Sequence, residues 1–496
     1  MTAVHQGGAH RPRGANRHHL GAGLALILAV GFAARVLMIP TADIYRPDEL
    51  FQYLEQAHRI VFGHGAVTWE YRDNIRSLLP PLILAGPMAL GDLIAPDSQL
   101  YIVLPRVLLA ALSLCTVWSA WRFGARQSPR GGLIAAAIVA GWSEFIYLAP
   151  HILSEAISIA LLLPAVVLLT STDRGSRQII IGGLLLGLAI LLRVQHLPAA
   201  ATLAALALWN RPRDWPPLLF GGIVAMLLGA GIDIGSGHMP FDWAIEYYRL
   251  NIVAGRAVTY GTAPAWAYAR AIGASLGWAT VPILFLAAVG ARRYPILFRV
   301  GIVNLAVHMA VDHKEYSFIL LTTTILILLA ALGTAVLVEH AATRGSRWSR
   351  SLPWLALAGW IGMSVSVAAA GGPAKYSMGQ RNDPAPFASL RTDPHLCGVA
   401  TLDLHFTTQG GYTYLHRAVP MYVYEAKEIG LLAREVPGFN RLIAPEPASV
   451  PTMFRKTLCF AGKRPSPPVC IFARPGNCRA LQSPAEINRM LIRTDQ

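Results

Sequence analysis

Two adjacent carboxylates, Asp48 and Glu49, follow Pro47 in the stretch RPDELFQYLEQAHRIVF at 46–62. A carboxylate within hydrogen-bond reach of a hydroxyl can take its proton as a general base. Adjacent residues of a helix do not face the same way, so one acid of the pair is the base. Asp48 is the first choice, and Glu49 is the second or an orienting group. The same letters also spell an ordinary helix start, with an early proline and acids complementing the dipole. Phe51, Leu54, His58 and Phe62 then share a face and Gly63 can end the helix, which alone describes an amphipathic helix lying on a membrane. Placement favours chemistry: the acids come directly after an apolar run, at the level of lipid headgroups.

Other polar residues stand at the ends of apolar runs. LLRVQHLP puts Arg193, Gln195 and His196 at one such end, and DHKEYSFIL at 312–320 supplies His313, Lys314 and Glu315 at another. HILSEA adds His151 and Glu155, to which the sequence assigns no role. Ionisable groups near membrane depth are functional candidates by default, against the plainer reading of snorkelling side chains.

The elements that position these groups are helices in a membrane. The chain has 496 residues, 54% apolar and only 14% charged, against about 25% charged in a soluble protein. Runs of roughly 20 apolar residues recur at about 20–40, 100–121, 131–149, 154–171, 178–194, 197–209, 216–235, 272–290, 295–312, 318–339 and 352–370. With a cytoplasmic N-terminus and two helices rather than one in 178–209, the loops holding Arg122–Arg130, Arg174–Arg177, Arg211–Arg213, Arg292–Arg293 and Arg344–Arg350 all lie inside. The pieces left outside are a first loop (41–99), a second loop (236–271) and a tail from 371 to 496. Residues 1–19 read as a disordered cytoplasmic arm before a membrane domain at 20–370. The formal charge of +15 thus describes helix orientation, and a nucleic-acid role is excluded because the basic residues sit in short loops. The tail alternates apolar and polar residues and holds Cys397, Cys459, Cys470 and Cys478. These suggest one or two disulfides in an oxidising compartment, with three full connectivities possible. No spacing forms a metal pattern, no cofactor is implied, and Cys115 reads as packing inside a helix.

RPDELFQYLEQAHRIVFGHGAVTWEY…IRSLLPP resembles the first lumenal loop of glycosyltransferase family 22, the polytopic mannosyltransferases of the GT-C superfamily. Their loop pattern is His-Pro-Asp-Glu-x-Phe-Gln, then Thr-Trp-Glu-aromatic, then Arg-Ser and Pro. Pro47, Asp48, Glu49, Phe51 and Gln52 match the first element, with Arg46 in place of His. Thr68, Trp69, Glu70, Tyr71, Arg76, Ser77 and Pro80 match the rest. DHKEYSFIL resembles the family's His-Lys-Glu-x-Arg-Phe signature, with Ser317 at the Arg position, which removes a cation. The second loop resembles the family stretch through Asn251, Gly255, Tyr260, Gly261, Thr262, Pro264, Trp266 and Tyr268.

The resemblance implies an all-α GT-C membrane protein of about eleven transmembrane helices, with a small mixed α/β C-terminal region outside the cytoplasm. It implies an inverting transfer of a hexose, mannose first, from a polyprenyl-phosphate donor to a glycan or glycolipid acceptor. Asp48 and Glu49 are the catalytic candidates. Lys314, His313, Arg193, Glu315, Gln52, Trp69, Glu70, Arg76 and Tyr260 are the candidates for the donor phosphate and substrates. Nearly all the positive charge is arginine, with five lysines in the chain. That composition suggests a bacterial inner membrane with the site facing the periplasm. The rival readings are a transporter or flippase of lipid-linked glycans, and a GT-C transferase of another sugar.

Overall fold

The computed structural model describes residues 15–41, 44–345, 350–377, 384–406, 409–461 and 467–494. The first helix, Ala15–Leu37, begins inside the expected N-terminal arm, the rest of which, residues 1–14, lies outside the described residues. Every apolar run of the sequence is helical. Among the described residues, six helices are long and apolar enough to cross a membrane: Leu20–Leu37, Leu100–Gly124, Pro212–Gly235, Ala267–Arg293, Tyr316–Thr343 and Leu352–Tyr376. Others are shorter, including Pro129–Gly141, Ser154–Leu169 and Ser176–Leu192. Leu79–Ile94, within the stretch read as an external loop, is also an apolar helix. Gly91 lets it lie directly on the next helix, since a Cβ there would sit 2.5 Å from the Leu100 carbonyl oxygen.

The helix Leu320–Thr343 is buried on almost every side, as its all-round apolar sequence requires, and forms the axis of the bundle. Small residues set the closest helix contacts. A Cβ on Gly290 or Gly333 would meet the facing carbonyl oxygen at 2.0 Å, and one on Gly183 or Gly221 at 2.1 and 2.0 Å. Between Ser176–Leu192 and Leu197–Leu208 the chain leaves the helical conformation at Arg193, so residues 178–209 form two helices. They separate: the first packs on Pro212–Gly235 and the second chiefly on Pro295–Met309.

The arginine-bearing loops meet at one end of the bundle. Arg126 donates to the Val167 carbonyl, Gln127 to Tyr294, Ser128 to Glu339, and Arg174 to Asp214. The opposite end carries Asp48, Arg193, Glu315 and the C-terminal region. That region holds a five-stranded sheet of β1 (Val399–Leu402), β2 (Met421–Tyr424), β3 (Arg441–Pro445), β4 (Arg455–Phe460) and β5 (Val469–Ala473), in the order β2-β1-β3-β5-β4. β1 runs parallel to β2 and β3, whereas β5 is antiparallel to β3 and β4. Disulfides join Cys397 to Cys478 and Cys459 to Cys470, which selects one of the three connectivities. Cys115 is free.

Candidate active site

The first-loop segment is a continuous helix rather than a surface rider. It is helical from Pro47–Asp48, passes through a π-helical stretch, Glu49–Leu54, into Glu55–Phe62, and Gly63 ends it at φ 78°. π-Turns inside helices are frequent at functional sites. Residues Glu49–His58 are buried, so the reading of an amphipathic helix lying on a membrane is corrected. The helix is enclosed between the bundle and the C-terminal region.

The two acids part company in space. Glu49 has no exposed surface. Its Oε2 accepts the Tyr45 N–H at 2.8 Å and lies 3.0 Å from His151 Nδ1, and its Oε1 lies 3.6 Å from Arg106. Burial opposes its charge, but His151 and Arg106 outweigh burial and hold its pKa below the ordinary value. Asp48 is partly exposed and accepts no hydrogen bond from any described residue. Burial first, then Glu315 and Glu70, push its carboxyl up to about 7, against the pull of Arg76 and Arg46. A carboxyl so tuned is half ionised near neutrality and suited to a proton transfer. Glu49 is enclosed by Tyr45, His151 and Arg106 and fixes the start of the helix from beneath.

Around Asp48 the structure gathers segments that are distant in sequence. Gln52 donates to Glu70 at 2.8 Å, fastening the Trp69–Arg72 turn to the helix. Arg256 of the second loop pairs with Asp73 at 2.9 Å and covers the Trp69 ring at 3.8 Å. Tyr260 bonds the Trp69 side chain and feels the charges of Glu70 and Asp48. His313 binds the Gly261 carbonyl through Nδ1 at 2.8 Å, and its Nε2 lies 3.3 Å from Glu315. Glu315 also faces Arg46 at 3.6 Å and accepts from Ser317 at 3.2 Å. Burial raises the Glu315 carboxyl, yet His313 and Arg46 more than cancel that and hold it down. Glu315 thus keeps its charge, and that charge helps make Asp48 the carboxyl that holds a proton more readily.

Two expected phosphate-binding cations are already engaged. Lys314 donates its ammonium to the Met309 carbonyl at 3.2 Å and to the Val311 carbonyl, closing the C-terminal end of Pro295–Met309; lysine there satisfies orphan carbonyls and the dipole. Arg193 pairs with Glu155 at 2.9 Å and lies over Phe318 at 5.2 Å, so its charge is largely matched. Arg76, by contrast, has a buried Nε with no hydrogen-bond partner. It stands over Tyr247 at 5.7 Å.

Sequence reasoning assigned nothing to Glu55, yet it joins the site to the C-terminal region. Its fully buried carboxylate accepts the N–H groups of Ala66, Tyr412 and Thr413 at 2.8–3.0 Å and the Thr413 hydroxyl at 2.6 Å. Arg106, Glu49's distant partner, was legible as a lone arginine in the apolar run 100–121. Nothing local marked Glu55.

Comparison with known proteins gives a consistent likeness. The family described as Alg9-like mannosyltransferase matches residues 26–383. GPI mannosyltransferase 3 of Yarrowia lipolytica is 27% identical over 438 residues, 82% of this chain and 79% of that protein. GPI mannosyltransferase 3 of Drosophila melanogaster is 28% identical over 310 residues, covering 59% of this chain and 53% of that protein. GPI alpha-1,2-mannosyltransferase 3 of Homo sapiens is 25% identical over 316 residues, 60% of this chain and 55% of that protein. The match therefore spans little more than half the length of the fly and human relatives. ArnT from Cupriavidus metallidurans, solved bound to undecaprenyl phosphate, has a TM-score of 0.59 at 11% identity over 92% of this chain and 99% of that one. That likeness is one of fold.

Proposed function

The chain belongs to the Alg9-like mannosyltransferase family, and from that premise we propose that it is an inverting glycosyltransferase with Asp48 as general base. The donor is a polyprenyl-phosphate hexose, mannose in the first instance, and the acceptor a lipid-linked glycan or another glycan. The observation that carries this reading is Asp48 itself. It is a partly exposed carboxylate with its pKa pushed up to about 7, on a helix locked in place by Glu49 and Glu55. Glu70, Arg76, Tyr260 and Glu315 converge on it from separate segments.

In this mechanism Asp48 takes the acceptor hydroxyl proton as the oxygen attacks the anomeric carbon, and the phosphate departs from the opposite side already ionised. Cations fixed near the phosphate stabilise the developing charge. Gln52, Trp69, Glu70 and Tyr260 form the sugar-side wall, with Glu315 and His313 holding Asp48 in its protonation range. An ArnT structure contains undecaprenyl phosphate, which supports a carrier of that class here.

The site belongs on the extracytoplasmic face of a membrane, in a bacterial setting the periplasmic face of the inner membrane. Both disulfides lie at the Asp48 end and the arginine loops at the other, which fits an oxidising outer side and a positive inner one.

The test is transfer of mannose from a polyprenyl-phosphate donor by the full chain in liposomes, with mass spectrometry of lipid-linked glycans from cells with and without it. A glycan one hexose shorter in the deletion, and loss of transfer in folded Asp48→Asn, are expected. Unchanged glycan mass combined with altered sidedness of the lipid would replace this reading by a flippase.

A further inference from the structure

The helix that carries Asp48 has buried polar groups that it cannot satisfy by itself. Glu49, Glu55 and His58 have no exposed surface. A buried carboxylate needs donors around it, and those of Glu55 come mostly from one distant segment, residues 411–416. The Tyr412 N–H reaches its Oε1 at 3.0 Å, and the Thr413 N–H and hydroxyl reach its Oε2 at 2.8 and 2.6 Å. Gly411 makes this approach possible. Its φ of 58° is a left-handed conformation that favours glycine, and a Cβ there would sit 2.8 Å from Glu55 Oε2.

The same segment also meets the helix at its start and its end. Tyr414 accepts from Arg106 at 3.4 Å and Arg106 faces Glu49 at 3.6 Å, so the start is reached through one intermediary. His416 Nδ1 lies 3.0 Å from His58 Nε2 near the end, and its Nε2 lies 3.3 Å from Asp92. Just upstream, the Phe406 ring packs on Phe51 at 4.4 Å. On its other side the segment is pinned to the membrane helix Leu100–Gly124. Tyr101 of that helix donates to the Thr413 carbonyl at 2.6 Å and stacks on His416 at 4.2 Å. The start, middle and end of the Asp48 helix thus each rest on residues from the far end of the chain. Those residues lie outside the span 26–383 that matches the family.

We propose that residues 411–416 are the positioning element of the active site, setting where Asp48 stands through Thr413 on Glu55 and through Tyr414 on Arg106 and Glu49. The proposal rests on the glycosyltransferase reading above and adds that its base is placed by the C-terminal region as well as by the membrane bundle. These are positioning residues: they act through the helix and not on a reacting atom. The physical reason is leverage. Asp48 lies about two helical turns before Glu55, and a helix carries a displacement at one turn along to the next. Without Thr413 and the 411–412 backbone in place, the Glu55 carboxylate swings toward other donors and takes the helix with it. A base misplaced by about 1 Å loses about 10²-fold in rate. It also leaves the surroundings of Glu315, Glu70, Arg76 and Arg46 that set its protonation.

The test uses the full chain in liposomes with a polyprenyl-phosphate mannose donor, after thermal unfolding has verified that each variant folds. Gly411→Ala, which pushes on the Glu55 carboxylate, and Thr413→Val are each expected to lower kcat about tenfold or more. The donor KM should stay within about twofold, as for a group that acts on the transition state alone. Thr413→Ser, which keeps the hydroxyl, should retain most of the rate, and Tyr414→Phe should lose severalfold. The pH profile separates position from stability. A displaced Asp48 moves the acid limb from about 7 toward the ordinary aspartate range, whereas partial unfolding scales the profile down and leaves its midpoint in place. Gly430→Ala, in the same region with open space around its Cβ position, is the control expected to match wild type. Wild-type kcat in folded Gly411→Ala and Thr413→Val overturns the proposal, and so does a loss of rate with an unmoved midpoint. Hydrogen exchange gives a reading that needs no donor: the amides of residues 45–54 should exchange about tenfold faster in Thr413→Val, and unchanged exchange overturns the proposal. Faster exchange there, with no transfer by wild type from any lipid-linked donor, overturns the enzyme reading and leaves the positioning contact standing.

Discussion

Arg46 and Glu315 meet at 3.6 Å, joining the start of the first loop to the motif that opens the central helix. Ser317 reaches the same carboxylate at 3.2 Å. These two residues depart from the resembled family's first-loop and His-Lys-Glu-x-Arg-Phe patterns, Arg46 replacing His and Ser317 replacing Arg. Both departures therefore fall on one carboxylate, and the cation missing at 317 is supplied from 46.

Arg46→Gln is accordingly expected to lower kcat/KM about tenfold, near the 1.4 kcal/mol that a factor of ten represents. Ser317→Arg placed in that background should recover part of the loss, because it returns a cation to Glu315. Steady-state kinetics of the four combinations measures this coupling, and strictly additive effects would show that the two positions act independently.

The raised carboxyl of Asp48 predicts a pH profile. If Asp48 must be ionised to accept a proton, activity falls as pH drops through about 7, well above an ordinary aspartate. Asp48→Asn should lose at least about 10³-fold in kcat, within the usual range for a general base. The same change should raise thermal stability. An acid whose folded pKa lies above its unfolded value binds more protons when folded, so its ionisation erodes stability as pH rises between the two values. The gain from Asp48→Asn should therefore grow between pH 4 and 7 and be full at pH 8, as thermal unfolding across pH would show.

Glu55 satisfies three buried backbone donors and one hydroxyl from the loop and the C-terminal region. Glu55→Ala leaves them without an acceptor, at about 1–3 kcal/mol each, and is expected to cost at least 3 kcal/mol of stability. Glu55→Gln, retaining one acceptor oxygen, should cost less. An unchanged unfolding temperature in Glu55→Ala would refute the clamp.

The disulfides should differ in weight. Closing a loop of 81 residues, Cys397–Cys478, is worth about 4.5 kcal/mol by chain entropy, against about 2.7 kcal/mol for the 11-residue Cys459–Cys470 loop. Removing the first as a double serine variant should therefore lower the unfolding temperature of the C-terminal region more than removing the second. Limited proteolysis of that region reads the difference directly.

Packing between helices gives the last test. Gly183→Ala places a methyl 2.1 Å from the Leu218 carbonyl oxygen, which backbone cannot absorb without moving. A loss of about 1–3 kcal/mol, typical of overpacking, should appear as poorer yield of monodisperse protein. Gly86→Ala, with open space around its Cβ position, is the control expected to behave as wild type.

Sequence alone determined the helices of the long apolar runs, the count of two helices within 178–209, the carboxylates of the first loop and the family. Those properties are local: apolar run length, helix phase and short motifs need no knowledge of what packs against them. It named Asp48 and Glu49 together but gave a pair, because phase shows that two neighbours diverge without showing what each one meets. Tertiary structure separated them, burying Glu49 against His151 and Arg106 and leaving Asp48 among Glu70, Arg76 and Glu315. It also redistributed the cations. Lys314 and Arg193 looked available in the sequence, and the fold matched them with carbonyls and Glu155 while setting Arg76 among Asp48, Glu70 and Tyr247. The effective charge of a side chain is set by the partners the fold gives it. For Lys314 they are carbonyls of the preceding turn, but for Arg193 and Glu49 they come from other helices far along the chain.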